Sequence, residues 1–288
     1  MTEHVRADAD AIVIRGEDGI RASEVVVGAA TDVGRLRTIN EDGYLAIAPA
    51  FVVVDGMGGH AAGRMATQVA LDSLYSLAGA TVTDVDTVVR AVVAAQEAIM
   101  AIPSHAAYLP GATIAGVILA WVADEQGVTR PTWVIFNIGD ARVYLLRDNM
   151  LSQVTRDHSR VQILIETGEL TPEQARHDPR RNIVTRALGG GIADSGVPDL
   201  YTVPVAAGDR FLICSDGLSD ELDDEAIATV LAAGCTAQRT AELLVAASLE
   251  GGGHDNTTAV VVDSLQVPTP PLGARAFHPG DASSQGAQ

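Results

Sequence analysis

The stretch Phe51-Val52-Val53-Val54-Asp55-Gly56-Met57-Gly58-Gly59-His60 decides the fold class of this chain. Its apolar run predicts a buried strand over 51–55, because such a run is typical of a strand with both faces covered. The glycines behind it predict a sharp turn in which the backbone passes close to another group. Asp55 therefore ends a core strand, where a carboxylate needs a paired partner or a metal ion.

The same arrangement, a carboxylate beside an apolar strand, recurs three more times. Asp140 and Asp216 each follow an apolar run, and Asp255 comes just before the last one at 257–262. Carboxylates without His or Cys clusters favour hard cations such as Mg²⁺ or Mn²⁺ over zinc. Two such ions can share a carboxylate and clamp a phosphoryl group for hydrolysis. A structural calcium site is the alternative.

Composition and charge limit the classes of function. The chain has 288 residues, 47% of them hydrophobic, and a formal net charge of −18. This predicts one folded domain with a sizeable core and argues against nucleic-acid and anionic-lipid partners. The longest apolar stretch, 112–123, is shorter than the roughly 20 residues of a membrane-spanning helix, and the acidic start does not resemble a signal peptide. We expect a cytoplasmic monomer with no membrane or nucleic-acid partner.

Hydrophobic periodicity divides the chain into strands and helices. Strands are predicted at 24–30, 44–47, 51–55, 113–122, 132–138, 142–146, 199–205, 209–214 and 257–262, and helices at 61–77, 84–100, 223–231 and 236–249. Several strands follow one another with no room for a helix between them, so antiparallel pairing is predicted. Asp223 and Thr236 are predicted N-caps. The segment 11–14 is either an extra edge strand or an extension.

Three further segments differ from this core in composition. Residues 1–22 are expected to be a variable N-terminal extension, and the Pro/Gly/Ser-rich residues 265–288 a disordered tail. Residues 156–190 are rich in arginine within an acidic protein. This segment is either a lid over an anionic substrate or a solvated surface insertion, and its composition favours neither.

Arg37 adds a cation to the acidic motifs, since it lies shortly before the pair Glu41-Asp42. In most sequences such an arginine forms a surface ion pair. A guanidinium also presents a fork that matches phosphate. Residue chemistry alone leaves both interpretations open.

Six short motifs follow one another in the chain. They are Gly34-x-x-Arg37-x-x-Asn40-Glu41-Asp42, Asp55-Gly56-Met57-Gly58-Gly59-His60, Gly111-Ala112-Thr113, Ile138-Gly139-Asp140-Ala141-Arg142, Cys214-Ser215-Asp216-Gly217-Leu218 and Asp255-Asn256-Thr257-Thr258. In this order they resemble the metal-dependent protein phosphatase family (PPM, type 2C) in its bacterial form. The resemblance implies a phosphatase domain over 23–264, with 156–190 as a mobile flap. It also implies an α+β four-layer sandwich, in which two stacked antiparallel β-sheets are flanked by helix pairs.

The resemblance implies a protein serine/threonine phosphatase. Phosphoserine and phosphothreonine would be hydrolysed by a water that bridges two Mn²⁺ or Mg²⁺ ions, and bacterial members have a third ion. The implied partners are phosphoproteins, including serine/threonine kinases. Two other classes stay open: a catalytically silent module that keeps the fold for binding, and a phosphatase devoted to one partner, such as an anti-sigma-factor antagonist. The presence of all the expected metal ligands favours the enzyme over the silent module. A phosphatase devoted to one partner is expected to carry a sensor domain as well.

The resemblance also implies which residues hold the two core ions. Asp55 would bridge both ions, and the carbonyl of Gly56 would bind one of them. Asp216 and Asp255 would hold the other. The implied catalytic residues are Arg37, Asp55, Asp216 and Asp255.

Other implied roles lie around this pair of ions. Glu41 and Asp42 would act largely through metal-bound waters, and Arg37 would bind the substrate phosphate. Asp140 would join Asp216 at the third ion.

One motif departs from the eukaryotic pattern, in which a histidine proposed as general acid follows the Asp-Gly pair. Met57 stands there in this chain, as in bacterial relatives. His60 lies three residues further on and is expected to be structural. The leaving group would then take its proton from a metal-bound water.

Overall fold

The computed structural model describes residues 12–15, 22–59, 61–103, 109–124, 126–193 and 196–266. The strands in these ranges are β1 (Ile12–Arg15), β2 (Ala22–Asp32), β3 (Asp42–Ile47), β4 (Ala50–Met57), β5 (Gly111–Ala123), β6 (Thr129–Ile138), β7 (Arg142–Arg147), β8 (Met150–Gln153), β9 (Leu188–Gly189), β10 (Asp199–Pro204), β11 (Arg210–Cys214) and β12 (Thr257–Gln266). The helices are α1 (Ala61–Leu74), α2 (Val85–Met100), α3 (Arg160–Glu166), α4 (Pro172–Arg176), α5 (Asp216–Ser219), α6 (Asp224–Leu231) and α7 (Ala237–Gly251). Each predicted strand and helix is present.

The strands form two antiparallel sheets. One has the order β1-β2-β12-β11-β7-β8, and the other has the order β10-β6-β5-β4-β3, with β9 paired to one end of β5. The predicted antiparallel pairing is confirmed. β1 pairs with β2 at a sheet edge, so the edge-strand interpretation of 11–14 is correct for Ile12–Arg15.

The two sheets stack face to face. Phe51 and Val53 of β4 pack in the layer between the sheets, whereas Val52 and Val54 pack on the opposite face. This split follows from the alternation of side chains along a strand. Both faces of β4 are therefore covered, which is why its sequence is a continuous apolar run.

Helix pairs cover the outer faces of both sheets. Val88 and Val92 of α2 pack with α1 against the sheet that contains β4. Leu231 of α6 and Leu244 of α7 pack against Leu212 of the other sheet. The chain thus has the predicted α+β four-layer sandwich.

The two predicted helix caps are confirmed. Asp223 accepts a hydrogen bond from the amide of Ala226, and Thr236 accepts one from the amide of Arg239. These bonds satisfy amides that a helix start leaves without partners. In the ranges that the structure describes, no helix is long and apolar enough to cross a membrane.

Three predicted boundaries were wrong. β4 does not end at Asp55, because Gly56 and Met57 still pair with β5. β12 continues through Leu265 and Gln266, since Gln266 pairs with β2. Ala22 likewise belongs to β2. The rest of the expected tail (267–288) and the extension residues 1–11 and 16–21 lie outside the described residues.

Candidate functional site

Asp42 and Asp55 lie side by side on neighbouring strands. They are register partners in the β3–β4 ladder, and Asp55 faces Thr113 of β5 on its other side. Asp55 shares its face of β4 with Phe51 and Val53, because successive side chains alternate. Its carboxyl group therefore lies at one end of the layer between the sheets.

Asp216 and Asp255 come from the other sheet. Asp216 begins α5 just after β11, and Asp255 comes just before β12, the neighbour of β11. Ser215 follows β11 and Thr258 lies near the start of β12, and each hydroxyl lies 2.7 Å from Asp42 Oδ2 and donates to it. These hydrogen bonds join the two sheets at the site.

Asp140 lies where the chain crosses from one sheet to the other. β6 ends at Ile138 and β7 begins at Arg142 in the opposite sheet. Gly139 makes the crossing with a φ of 106°, and a Cβ there would lie 2.3 Å from the Cβ of Thr113. Only glycine accommodates this turn without strain. The Asp140 side chain is buried as a result.

These residues meet at one cavity of about 280 Å³. The predicted site residues in its lining are Arg37, Glu41, Asp55, Gly56, Asp140, Asp216 and Asp255. Asp42 is not part of the lining and lies beside Asp55, as its register partner on the neighbouring strand. The fold thus brings together all of the predicted site residues from distant parts of the chain.

Arg37 lies at the mouth of this cavity. Its side chain is 50% exposed, and Nη2 donates to Asp255 Oδ2 at 2.6 Å. The surface ion pair, one of the two interpretations that the sequence left open for Arg37, is therefore present. Its exposure also leaves the guanidinium accessible to an anion entering the cavity.

Burial and mutual repulsion raise the pKa of these carboxyl groups. Burial is the largest cause at Asp55 and Asp216, and neighbouring carboxylates hold the pKa of both further above the usual range. Burial also raises the pKa of Asp42 to about 6 and that of Asp140 to about 7. A cation in the cavity would relieve both effects, since it favours the charged form of each group.

The donor set fits a hard divalent cation. The cavity lining offers carboxylates and the backbone of Gly56, with no His or Cys among its described residues. Asp42 Oδ1 is buried and has no hydrogen-bond partner within the described ranges, which is unfavourable for a carboxylate oxygen. In that part of the chain no three His, Cys, Asp or Glu side chains are arranged closely enough to hold a metal ion as they stand. Asp55 instead lies near Asp42 and Asp216, whose charges add to burial in raising the pKa of its carboxyl group.

Asn256 supports the site, a role that the sequence reasoning did not predict. Its Oδ1 accepts from the amide of Glu41 at 2.8 Å, and its Nδ2 donates to the carbonyls of Val33 and Ile39. The side chain therefore fixes the loop 33–41 against the start of β12. The only signal in the sequence was its position directly after a predicted ligand.

Residues 156–190 lie beside the cavity, with Asn182 and Val184 in its lining. The positive charge that suggested a lid is largely engaged by acidic residues of the protein itself. The pairs are Arg156–Glu166, Arg180–Asp178, Arg181–Asp220 and Arg186–Asp199. The location of the segment, and not its charge, is what relates it to the site.

Met57 and His60, the two residues that bear on the identity of the general acid, differ in what the structure says of them. Met57 lines the cavity. His60, which we expected to be structural, lies outside the described residues. No histidine occurs among the described residues of the lining.

Comparison with known sequences identifies relatives over most of the chain. Residues 38–251 match the family model for protein phosphatase 2C. The serine/threonine protein phosphatase PstP of Mycobacterium tuberculosis is 38% identical over 240 residues, which is 82% of this chain and 44% of that protein. The serine/threonine phosphatase stp of Listeria monocytogenes is 33% identical over 243 residues, 81% of this chain and 93% of that protein.

Solved structures agree with these sequence matches. The crystal structure of M. tuberculosis PstP/Ppp has a TM-score of 0.75 at 36% identity and covers 84% of this chain and 99% of that one. The PstP catalytic domain in complex with two manganese ions has a TM-score of 0.73 at 35% identity, with the same coverage. The chain spans 44% of the length of the whole M. tuberculosis protein. It belongs to the protein phosphatase 2C family.

Proposed function

We propose that this protein is a metal-dependent protein serine/threonine phosphatase, which hydrolyses the phosphate esters of phosphoserine and phosphothreonine. The observation that supports this most is the convergence of carboxylates from both sheets on one cavity with Arg37 at its mouth. Carboxylates suit divalent cations, and cations together with a guanidinium suit a phosphate group. The relatives named as serine/threonine phosphatases support the same conclusion.

The proposed ligands of the two core ions are Asp55, the carbonyl of Gly56, Asp216 and Asp255, with Glu41 and Asp42 acting through water. When bound, Mn²⁺ or Mg²⁺ supplies a Lewis acid that lowers the pKa of water and withdraws charge from the phosphoryl group. The two manganese ions bound by the related PstP domain support this choice of cofactor.

The protein's own residues orient the substrate and the ligands. Arg37 binds the phosphate oxygens with its fork, because its side chain is 50% exposed at the mouth of the cavity. Ser215 and Thr258 hold the Asp42 carboxyl group in one orientation. No imidazole among the described lining residues is placed to protonate the leaving alkoxide.

Asp140 is proposed to join Asp216 at a third ion. The two carboxylates repel each other, and after burial this repulsion is the main cause that raises the pKa of Asp216. If Asp140 only completes a turn, Asp140→Ala should cost about 0.5 to 2 kcal/mol of stability and leave turnover intact. We expect instead that turnover of a phosphopeptide falls about tenfold or more while both core ions still bind. Normal turnover in a folded Asp140→Ala protein with both core ions bound would contradict the third-ion role.

The proposed biological setting is the cytoplasm, with phosphorylated proteins as substrates and serine/threonine kinases among them. We further propose a monomer whose phosphatase domain runs from β2 through β12, slightly beyond the predicted 23–264, with a flap at 156–190. The location of Asn182 and Val184 in the cavity lining supports the flap assignment.

The test is hydrolysis of p-nitrophenyl phosphate and of a phosphothreonine peptide with Mn²⁺, in excess chelator, and after Mn²⁺ is restored. Activity should disappear with the chelator and return with the metal. Asp55→Asn should abolish activity and remove both core ions together in calorimetry, whereas Asp72→Asn, an exposed change on α1, should leave both unchanged. Full turnover in excess chelator would refute the proposal.

A further inference from the structure

A second cavity of about 580 Å³ lies beside the catalytic one and shares Asp140 and Asp216 with it. His158 lies next to the turn that carries Asp140 and lines neither cavity. Its side chain is 2% exposed. The backbone amide of His158 donates to the carbonyl of Gly139 at 2.9 Å, and the amide of Gly139 donates to His158 Nδ1 at 3.0 Å. One residue therefore holds both polar backbone groups of Gly139, the residue next to Asp140.

The Gly139 amide fixes the tautomer of this histidine. Nδ1 accepts an N–H, so it carries no proton, and burial lowers the pKa of the ring. The ring proton is thus on Nε2, 3.1 Å from Asp199 Oδ2, to which it donates. Nη1 of Arg186 lies 3.3 Å from Nε2, but two donors cannot bond each other. Arg186 instead donates to the other oxygen of Asp199 at 2.6 Å.

These contacts connect His158 to the end of the arginine-rich segment. Arg186 shares Asp199 with the imidazole, and the amide of Thr185 donates to the carbonyl of His158 at 2.7 Å. Asn182, three residues before Thr185, lines both cavities. Residues 185 and 186 of this stretch and the Asp140 turn are therefore bonded, directly or through Asp199, to the same histidine.

We propose that His158 is a positioning residue that couples the 182–186 stretch to the Asp140 turn. Nδ1 holds the turn through Gly139, the backbone carbonyl of His158 holds Thr185, and Nε2–H bonds Asp199, which in turn holds Arg186. The inference rests on the proposed function, in which Asp140 is a metal ligand.

Two variants of similar shape remove the hydrogen bond at one end of the imidazole or at the other. His158→Asn keeps an acceptor near the position of Nδ1 and removes the donor at Nε2, whereas His158→Gln keeps a donor near Nε2 and removes the acceptor for Gly139. We expect His158→Gln to lower kcat for p-nitrophenyl phosphate about fivefold or more with KM unchanged. Calorimetry should show weaker binding of the third Mn²⁺.

His158→Asn should show the opposite pattern. Its kcat should stay within about twofold of the wild type, because the Gly139 amide keeps an acceptor. Trypsin should cut the metal-free variant after Arg180, Arg181 or Arg186 at least about five times faster than the wild type, because Asp199, which holds Arg186, has lost its bond to the imidazole. Equal losses in both variants, or wild-type behaviour of both in all readouts, would overturn the proposal.

Asp199→Asn tests the same coupling if the His158 variants do not fold. An amide offers one acceptor where the carboxylate offered two, so either Arg186 or the imidazole loses its partner. We expect faster trypsin cleavage and, by nitrogen NMR of the metal-free protein, a change in the protonation of the His158 ring. A wild-type ring spectrum together with a wild-type cleavage rate would overturn the proposal.

The matched control is Asp209→Asn, which breaks a buried carboxylate network at the opposite end of β11 from Asp216. It should lower the melting temperature without changing kcat or the cleavage rate. If the wild type has no phosphatase activity, the proposed function fails, while trypsin and NMR still decide the coupling. If Asp140→Ala is impaired but His158→Gln matches the wild type, the coupling fails alone.

Discussion

Gly63 allows helix α1 to approach the site closely. A Cβ at Gly63 would lie 2.5 Å from Glu41 Oε1 and 2.8 Å from the carbonyl carbon of Gly56. Gly56 is backbone and cannot rotate away, so Gly63→Ala forces a shift of roughly 0.6 Å or more between α1 and β4. The shift falls on two of the proposed ligands.

The stability change should be small, whereas the change in activity should be large. Alanine raises helix propensity by about 1 kcal/mol over glycine, and overpacking costs about 1 to 3 kcal/mol. The net loss of unfolding free energy is therefore at most about 2 kcal/mol. A misplacement of about 1 Å in a catalytic site can reduce the rate about 100-fold, so we expect kcat/KM to fall about tenfold or more.

The assay is Mn²⁺-dependent hydrolysis of a phosphothreonine peptide, with melting temperature and Mn²⁺ affinity measured on the same preparations. Gly251→Ala in α7 is the matched control, because a Cβ there would lie 3.3 Å or more from the nearest atoms. It should retain wild-type kcat/KM. A Gly63→Ala protein with wild-type kcat/KM and Mn²⁺ affinity would show that the close approach of α1 does not position the ligands.

Three other changes give separate outcomes. Arg37→Ala should raise KM with little change in kcat, because the guanidinium meets the phosphate in ground and transition states alike; a collapsed kcat with unchanged KM would contradict this. Asp209→Asn should lower the unfolding free energy by about 3 kcal/mol in urea melts, because the buried carboxylate holds Arg147; a loss below about 1 kcal/mol would be too small for a buried pair. Arg156 holds the pKa of Glu166 down to about 2. The ion pair contributes about 0.5 kcal/mol to the unfolding free energy at pH values above 4.5, the ordinary pKa of the Glu166 carboxyl group, and this contribution disappears as the pH falls toward 2. The stability difference between the wild type and Glu166→Gln should shrink from pH 6 to pH 3, and a constant difference would argue against the pair.

The sequence predicted the strands and most of the site because both leave local signals. A strand covered on both faces reads as a continuous apolar run, and β4 shows this most clearly. A carboxylate at such a run stands out, since charge is rarely buried without a partner. Asp55, Asp140, Asp216 and Asp255 were predicted in this way, and the structure places all of them at one cavity.

The residues that hold these carboxylates gave no such signal. Ser215 and Thr258 contact Asp42 across 173 and 216 positions of the chain. Their partner is set by how the two sheets stack, which no local pattern encodes. His158 was seen only as part of a basic segment, yet its hydrogen bonds go to the turn before β7.

The charge of residues 156–190 did not predict whether they form a lid, for a related reason. The arginines of 156–190 suggested a surface for an anion, but the acids that neutralise Arg181 and Arg186 lie outside the segment, at Asp220 and Asp199. Net charge of a segment describes its composition and not its neighbours. A lid assignment needs the position of the segment beside a cavity, which only the fold supplies.

The groups that hold the carboxylates also explain why few positive charges of the protein itself compensate the site. Asp42 Oδ2 accepts from two hydroxyl groups, which orient the carboxylate without supplying a positive charge. Arg142, the arginine beside Asp140, is engaged by both oxygens of Asp157 and so does not neutralise Asp140. Arg37 is the exception, since it pairs with Asp255, but its side chain is half exposed and can leave for a phosphate. The charge of the cluster is therefore available to a cation, and the movable guanidinium is available to the anion that the cation attracts.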